Sequence, residues 1–322
     1  MIELKNVRKV YDDGTEAVSN VSFEIKKGET ATLVGPSGCG KTTVLTMLNR
    51  LTELTDGEII IDGTPITDHD RIELRRNIGY VIQEIGLFDH MTVGKNIRIV
   101  PDLRGWDEQR QKERVEELLE LIQLPPETKN RYPENLSGGQ QQRVGVARAL
   151  AAEPDIMLMD EPFGALDPIT RESLQNEFLD IQAGLDVTIV FVTHEINEAL
   201  KMGDKVAVLN DGELVQYASP REILADPKNE FVEDFIGEDR LLKQLSMIPV
   251  SEAMVTPSRL TEQTDVTLHP ADTLDTAVQA FYDTRSPLAV VEGGEMVGSL
   301  AEDDVRAVVD TTGKESLQNR HV

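Results

Sequence analysis

The sequence predicts an α/β protein: a mainly parallel sheet covered by helices on both faces, with an antiparallel edge, followed by a small α+β unit. Three observations predict it. A short apolar run, Thr30–Val34, leads through a glycine-rich loop into a helical pattern with apolar residues at Val44, Leu45, Met47, Leu48 and Leu51. Two further apolar runs, Ile156–Met159 and Thr188–Val192, end at polar residues, as strands buried on both faces do. After about Phe235-Ile236-Gly237 the texture changes, and no second loop of the first kind occurs.

Taken in order, Ile2–Val10 and Val21–Ile25 alternate apolar and polar residues around the Asp12-Asp13-Gly14 turn, with Tyr11 where that edge turns. Glu58–Ile61 and Ile78–Ile82 are further strands, the second ending at Gln83. Trp106–Leu124 reads as a helix: Val115, Leu118, Leu119 and Ile122 share a face and Pro125-Pro126 stops it. Leu136-Ser137-Gly138-Gly139-Gln140 opens another helix through Arg143, Val144, Val146, Ala147 and Leu150. The expected layout is a first domain over 1–236 with a helical subdomain at about 88–150, a connector over 237–249, and a small unit over 250–322. That unit holds a strand at Val266–Leu268 and a helix over Asp272–Tyr282 with Leu274, Ala277, Val278 and Phe281 on one face. Strands at Leu288–Val291 and Met296–Leu300, joined by Gly293-Gly294, and a helix near Asp304–Val309 complete it.

At 322 residues, 39% of them hydrophobic, the chain suits one large domain plus a small one. Its 58 acidic and 32 basic residues give a formal charge of −26, which argues against nucleic acid as a partner because phosphate contacts need clustered Lys and Arg. The acidity reads either as a solubilising surface or as adaptation to a salty cytoplasm. Cys39 stands alone, which excludes an internal disulfide and fits a reducing cytosol. It reads either as a thiol activated by a helix N-terminus or as a small residue that fits the loop. There is no signal peptide and no apolar run of about 18 residues, so a soluble chain is expected, free to dock on a membrane protein.

The loop itself, Gly35-Pro36-Ser37-Gly38-Cys39-Gly40-Lys41-Thr42, fits G, four residues, G-K-[ST], between a strand and a helix. In such a cradle glycines let backbone amides turn inward and the helix start adds positive potential. Lys41 reaches the terminal phosphates, Thr42 ligates Mg²⁺, and Thr43 follows in the same turn, so a nucleoside triphosphate is the implied ligand. Asp160, at the end of an apolar strand, can hold the same ion, and Glu161 beside it can orient or deprotonate an attacking water. Gln83 and His194 also stand at strand ends, where one can sense the γ-phosphate and Mg²⁺ and the other can contact the γ-phosphate or hold Glu161.

In order and spacing these motifs resemble the ATP-binding subunits of ABC transporters, over essentially all of 1–236. Gly35–Thr42 resembles Walker A, Gln83 the Q-loop, and Leu136–Gln140 the signature motif. Ile156–Asp160 with Glu161 resembles Walker B and its catalytic glutamate, Ala165-Leu166-Asp167 the D-loop, and His194 the H-loop. Tyr11 is similar to the aromatic that stacks on adenine. The resemblance implies the P-loop fold of an ABC-type ATPase, with ATP and Mg²⁺ bound. It also implies a head-to-tail homodimer in which Ser137-Gly138-Gly139 of one copy closes on the Walker A loop of the other. A Ser-Gly-Gly turn at a helix start is itself a phosphate site, so one chain can complete the other's pocket. The surface after Gln83 then receives a coupling helix of a transmembrane permease, the chain's one contact with the membrane, at its cytoplasmic face.

Ile82–Val93, Met47–Leu51 and Phe231–Gly237 are similar to importers of glycine betaine, choline and carnitine, which also use a solute-binding protein. Glu84 stands where a neutral amide is usual and Asp89 where proline is usual, both adding negative charge near the docking surface. Residues 250–310 resemble a single CBS-type regulatory domain, with Ala301 where a nucleotide-binding hydroxyl is usual and Asp304 retained. Gating by ionic strength or nucleotide and plain dimerisation are the two roles this leaves. The competing assignments are import of another small solute and a soluble ABC ATPase of translation or repair. Against the latter stand a single Walker A, a single signature and no long heptad run.

Overall fold

The protein's structure is a computed structural model that describes residues 1–82, 86–164, 166–255, 266–284 and 286–309. It divides into two compact units, Met1–Pro220 and Arg221–Val322. In chain order the first unit begins β1 (Ile2–Val10), β2 (Glu16–Ile25), β3 (Thr30–Val34), α1 (Lys41–Leu48), β4 (Asp56–Ile61) and β5 (Thr64–Pro65). It continues α2 (Arg71–Arg76), β6 (Ile78–Val81), α3 (Val93–Leu103), α4 (Glu108–Leu121), α5 (Gly138–Leu150) and β7 (Ile156–Asp160). It closes with α6 (Pro168–Ala183), β8 (Thr188–Thr193), α7 (Ile196–Met202), β9 (Lys205–Asn210) and β10 (Glu213–Ala218).

Two sheets form. One is antiparallel in the order β2-β1-β4-β5. The other runs β10-β9-β3-β8-β7-β6, parallel from β9 to β6 with β10 antiparallel on its edge. Every residue of β3, β7 and β8 is buried, so these strands read as unbroken apolar runs rather than as alternation. Successive side chains point to opposite faces. Leu33, Leu158 and Val190 therefore join a core with α1 and the antiparallel sheet, while Met157, Phe191 and Met159 join one with α3 to α6. The register sets Val34 opposite Thr193 and Asp160 opposite Val192, which brings the carboxyl ends of β3, β8 and β7 flush at one edge.

The helix expected over Trp106–Leu124 is shorter, Glu108–Leu121, because Asp107 caps it by accepting the Arg110 N–H. Trp106 lies outside it, under the Arg110 guanidinium at 3.4 Å. Its inward face is as expected: Val115, Leu118, Leu119 and Ile122 are buried.

The second unit comprises α8 (Pro220–Ala225), α9 (Glu230–Ile236), α10 (Arg240–Leu245), α11 (Val250–Ala253), β11 (Thr267–Leu268), α12 (Leu274–Thr284), β12 (Leu288–Glu292) and β13 (Glu295–Leu300). Residues 302–309 are helical. The unit begins at Arg221 rather than after the expected boundary at 236. The reason is a set of side-chain ties to helix ends. Arg240 donates to the Leu224 and Ala225 carbonyls at 2.6 and 3.0 Å, and Arg221 to Met247 O at 2.7 Å. Val278, expected on the inward face of α12, is 39% exposed, while Leu274, Ala277 and Phe281 carry the core contact.

Candidate active site

The phosphate-type loop leaves the end of β3 and enters α1 through Gly40, which is the N-cap at φ +99° with no side chain to satisfy the first amides. Those amides stay available to an anion. Two glycines are required by crowding: a Cβ on Gly35 would lie 2.1 Å from Leu209 O, and one on Gly40 2.3 Å from Ala17 O. Ser37 and Gly38 are exposed at the mouth. Lys41 is buried, its Nζ donating to the carbonyls of Gly35 and Pro36, each at 2.8 Å. Cys39 Sγ lies 3.7 Å from that ammonium.

Across the edge, Thr42 Oγ1 donates to Asp160 Oδ1 at 3.1 Å, joining α1 to the end of β7. Burial pushes the Asp160 carboxyl up from its ordinary value; the Thr42 bond opposes this, Glu161 adds to it and Lys41 opposes it. The Tyr80 phenol nearby is pushed up to about 12, by burial first and then by Asp160. A hydroxyl and a carboxylate side by side are hard oxygen ligands and fit Mg²⁺, which keeps several waters and phosphate oxygens rather than a protein cage. Among the described residues no group of three or more His, Cys, Asp or Glu gathers as such a cage.

Glu161 follows with φ +44°, a left-handed backbone rare outside glycine, and its N–H donates to Val192 O at 3.0 Å. Its Oε2 lies 3.0 Å from His194 Nδ1, at the end of β8. Together the loop, Glu161 and His194 enclose a cavity of about 660 Å³, lined by Ser37, Gly38, Gly40, Lys41, Thr42 and Thr43 among others. Tyr11 stands beside it, 41% exposed, with its hydroxyl 3.4 Å from Thr43 Oγ1.

Other expected residues lie elsewhere. Ser137 caps α5 in a capping box with Gln140, each side chain bonded to the other's backbone N–H, and Gly138 is open to solvent. Gly139 has room for a Cβ only against Leu174 and Thr170. Asp167 caps α6, accepting the Thr170 N–H at 3.1 Å, and the Thr170 hydroxyl first, then that N–H, hold its carboxyl below the usual range. Neither Ser137–Gln140 nor Asp167 lines the cavity of its own chain among the described residues. Gln83 and Ala165 lie outside the described residues. For Cys39 the activated-thiol reading is corrected: the side chain is 3% exposed, and burial pushes the thiol up despite Lys41. A residue that the motifs do not mark is Lys9, whose ammonium stands 5.0 Å from the Tyr11 ring centroid. Its place two residues before Tyr11 along a strand is the only sequence signal for it.

Comparison with known proteins places this geometry. The family described as ABC transporter matches residues 18–164. The glycine betaine/carnitine/choline transport ATP-binding protein OpuCA of Bacillus subtilis is 54% identical over 285 residues, 88% of this chain and 73% of that one. The osmoprotectant import ATP-binding protein OsmV of Salmonella typhimurium is 46% identical over 95% of this chain and 80% of its own. Among solved structures, a dimeric post-hydrolysis state of the ATP-binding cassette MJ0796 bound to ADP and Pi superposes with a TM-score of 0.61 at 37% identity, covering 68% of this chain and 99% of that one. The chain belongs to the ABC transporter family, among its ATP-binding, ATP-hydrolysing subunits.

Proposed function

We propose that this chain is the energy-coupling subunit of an importer for quaternary-amine osmoprotectants such as glycine betaine, choline or carnitine. In this reading it acts as a head-to-tail homodimer on a transmembrane permease at the cytoplasmic face of the membrane, with a solute-binding protein outside. The observation that carries the solute class is the 54% identity, over 88% of this chain, to a relative named for transport of those three compounds. No helix of the described residues is long and apolar enough to cross a membrane; in this proposal the permease makes the contact with the bilayer.

The chemistry proposed for the site is positional. The Gly35–Thr43 amides and Lys41 hold the phosphates, Lys41 giving up its two carbonyl bonds to do so, and Tyr11 offers a face to adenine. Thr42 and Asp160 would hold Mg²⁺, with Gln83 assigned beside them by motif, and the ion would neutralise developing phosphate charge. Glu161 aligns the attacking water and accepts its proton, and His194 holds that carboxylate in place through the 3.0 Å contact. Ser137, Gly138, Gly139, Gln140 and Asp167 serve the partner copy's nucleotide.

For the second unit we favour a mechanical role, as a single CBS-like module over about 250–309, rather than nucleotide sensing. Ala301 has no hydroxyl, and Asp304 Oδ2 accepts the Ala301 N–H at 2.9 Å. Affinity purification of the chain from detergent-solubilised native membranes tests the main proposal. We expect a multi-span membrane protein and a solute-binding protein that binds glycine betaine, choline or carnitine. Recovery of ribosomal or repair proteins alone would overturn the transport reading. Removing the residues after Gly237 separates the two roles of the second unit, because salt-independent loss of uptake speaks for dimerisation and lost salt dependence for gating.

A further inference from the structure

One side chain outside the cavity ties its two catalytic segments together. Arg171 lies in the first turn of α6, four residues after the cap Asp167. Its Nη1 donates to Glu195 Oε1, on the residue that follows His194, and its Nη2 donates to Leu166 O at 3.1 Å, on the residue that precedes Asp167. Glu195 is itself anchored, since its N–H donates to Thr193 Oγ1 at 3.0 Å at the buried end of β8.

We propose that Arg171 is a positioning residue for ATP hydrolysis. Its guanidinium fork fixes the Leu166 backbone to the Glu195 carboxylate, so that the turn carrying Glu161 and the strand end carrying His194 keep one mutual geometry. The inference rests on the reading of Glu161 and His194 as the hydrolytic pair. Two observations say that this pair needs outside support. The His194 side chain is 50% exposed, so packing does not fix it, and Glu161 holds a left-handed backbone that persists only where its surroundings over-determine it. Arginine suits the task because its donors sit in a rigid plane and can serve two acceptors at once, which an ammonium on a flexible stem does poorly. One turn further along the same helices, Gln175 Nε2 donates to buried Glu198 at 2.9 Å. That bond joins α6 to α7 without using the Arg171 fork. Glu198 also bonds Thr193, but removing the Gln175 side chain leaves that bond and the Leu166-to-Glu195 tie in place, and so provides the comparison.

The test is steady-state ATP hydrolysis and thermal unfolding of the full chain. Arg171→Gln should lower kcat about tenfold to a hundredfold, the scale of a misplacement near 1 Å, with KM for ATP little changed. Arg171→Lys, which keeps charge and loses the fork, should fall between. Gln175→Ala should lower Tm and leave kcat intact. Unchanged kcat in Arg171→Gln overturns the proposal, as does a kcat loss matched by Gln175→Ala at equal loss of Tm. Glu161→Gln is measured alongside: full turnover there removes the hydrolytic pair and this inference with it. An inactive Glu161→Gln beside a fully active Arg171→Gln removes this inference alone.

Discussion

Asp160 shows how a single residue trades stability for chemistry. Its carboxylate is buried with one hydroxyl partner and an acidic neighbour, and its pKa is raised. A carboxyl that binds its proton more tightly when folded helps folding at low pH, and the help is lost as pH rises through the folded pKa. At neutral pH the nucleotide-free protein therefore carries a charge that burial disfavours. Asp160→Asn keeps the shape and removes the charge, so Tm at pH 7 should rise by roughly 2–4 °C. The gain should vanish as pH falls through the ordinary aspartate range near about 4, where the wild-type carboxyl is protonated in both states. Mg²⁺-dependent hydrolysis should collapse in the same variant. Differential scanning calorimetry across pH decides it, and an advantage that grew in acid would mean the burden lies elsewhere.

Among elements, the two capped helices of the helical subdomain allow fold and function to be separated. Ser137 caps α5 and Asp107 caps α4, each accepting an N–H of the first turn. Removing either cap costs about 1 kcal/mol, so Ser137→Ala and Asp107→Ala should lower Tm comparably. Only Ser137→Ala should depress ATP turnover, and equal turnover in the two would reduce Ser137 to a cap. How far the sequence reveals these elements follows from where their constraints lie. β3, β7 and β8 are legible because total burial writes an apolar run, and the loop of Gly35 and Gly40 because backbone crowding admits no Cβ. β10 is not, since an edge strand of half-buried residues leaves no alternation. The start of the second unit at Arg221 hangs on arginine-to-carbonyl bonds such as Arg240 to Leu224 O, which have no periodicity. Arg171 and Glu195 stand 24 residues apart and become neighbours only through the order of β7 and β8.

At the scale of the whole molecule the site is half-built. Phosphate loop, Asp160, Glu161 and His194 converge in one chain, while Ser137–Gln140, capped and partly open to solvent, stays off that cavity. In the homodimer proposed above, this helix start would meet the second copy's nucleotide. If so, assembly must depend on ATP and persist when hydrolysis is blocked, because ligand that binds only the closed dimer shifts the equilibrium toward it by mass action. Glu161→Gln should thus lose most turnover and, with Mg²⁺ and ATP, sediment at twice the 35.8 kDa of one chain, reverting when nucleotide is removed. Adding Ser137→Arg should abolish the ATP-dependent increment while ATP binding at Lys41 survives, and Lys41→Ala should abolish both. The second unit could associate independently of nucleotide, so the measured quantity is the change on adding ATP rather than the mass alone. A Glu161→Gln protein that binds ATP and stays at its nucleotide-free mass would place the entire site within one chain and leave Ser137 without its proposed partner.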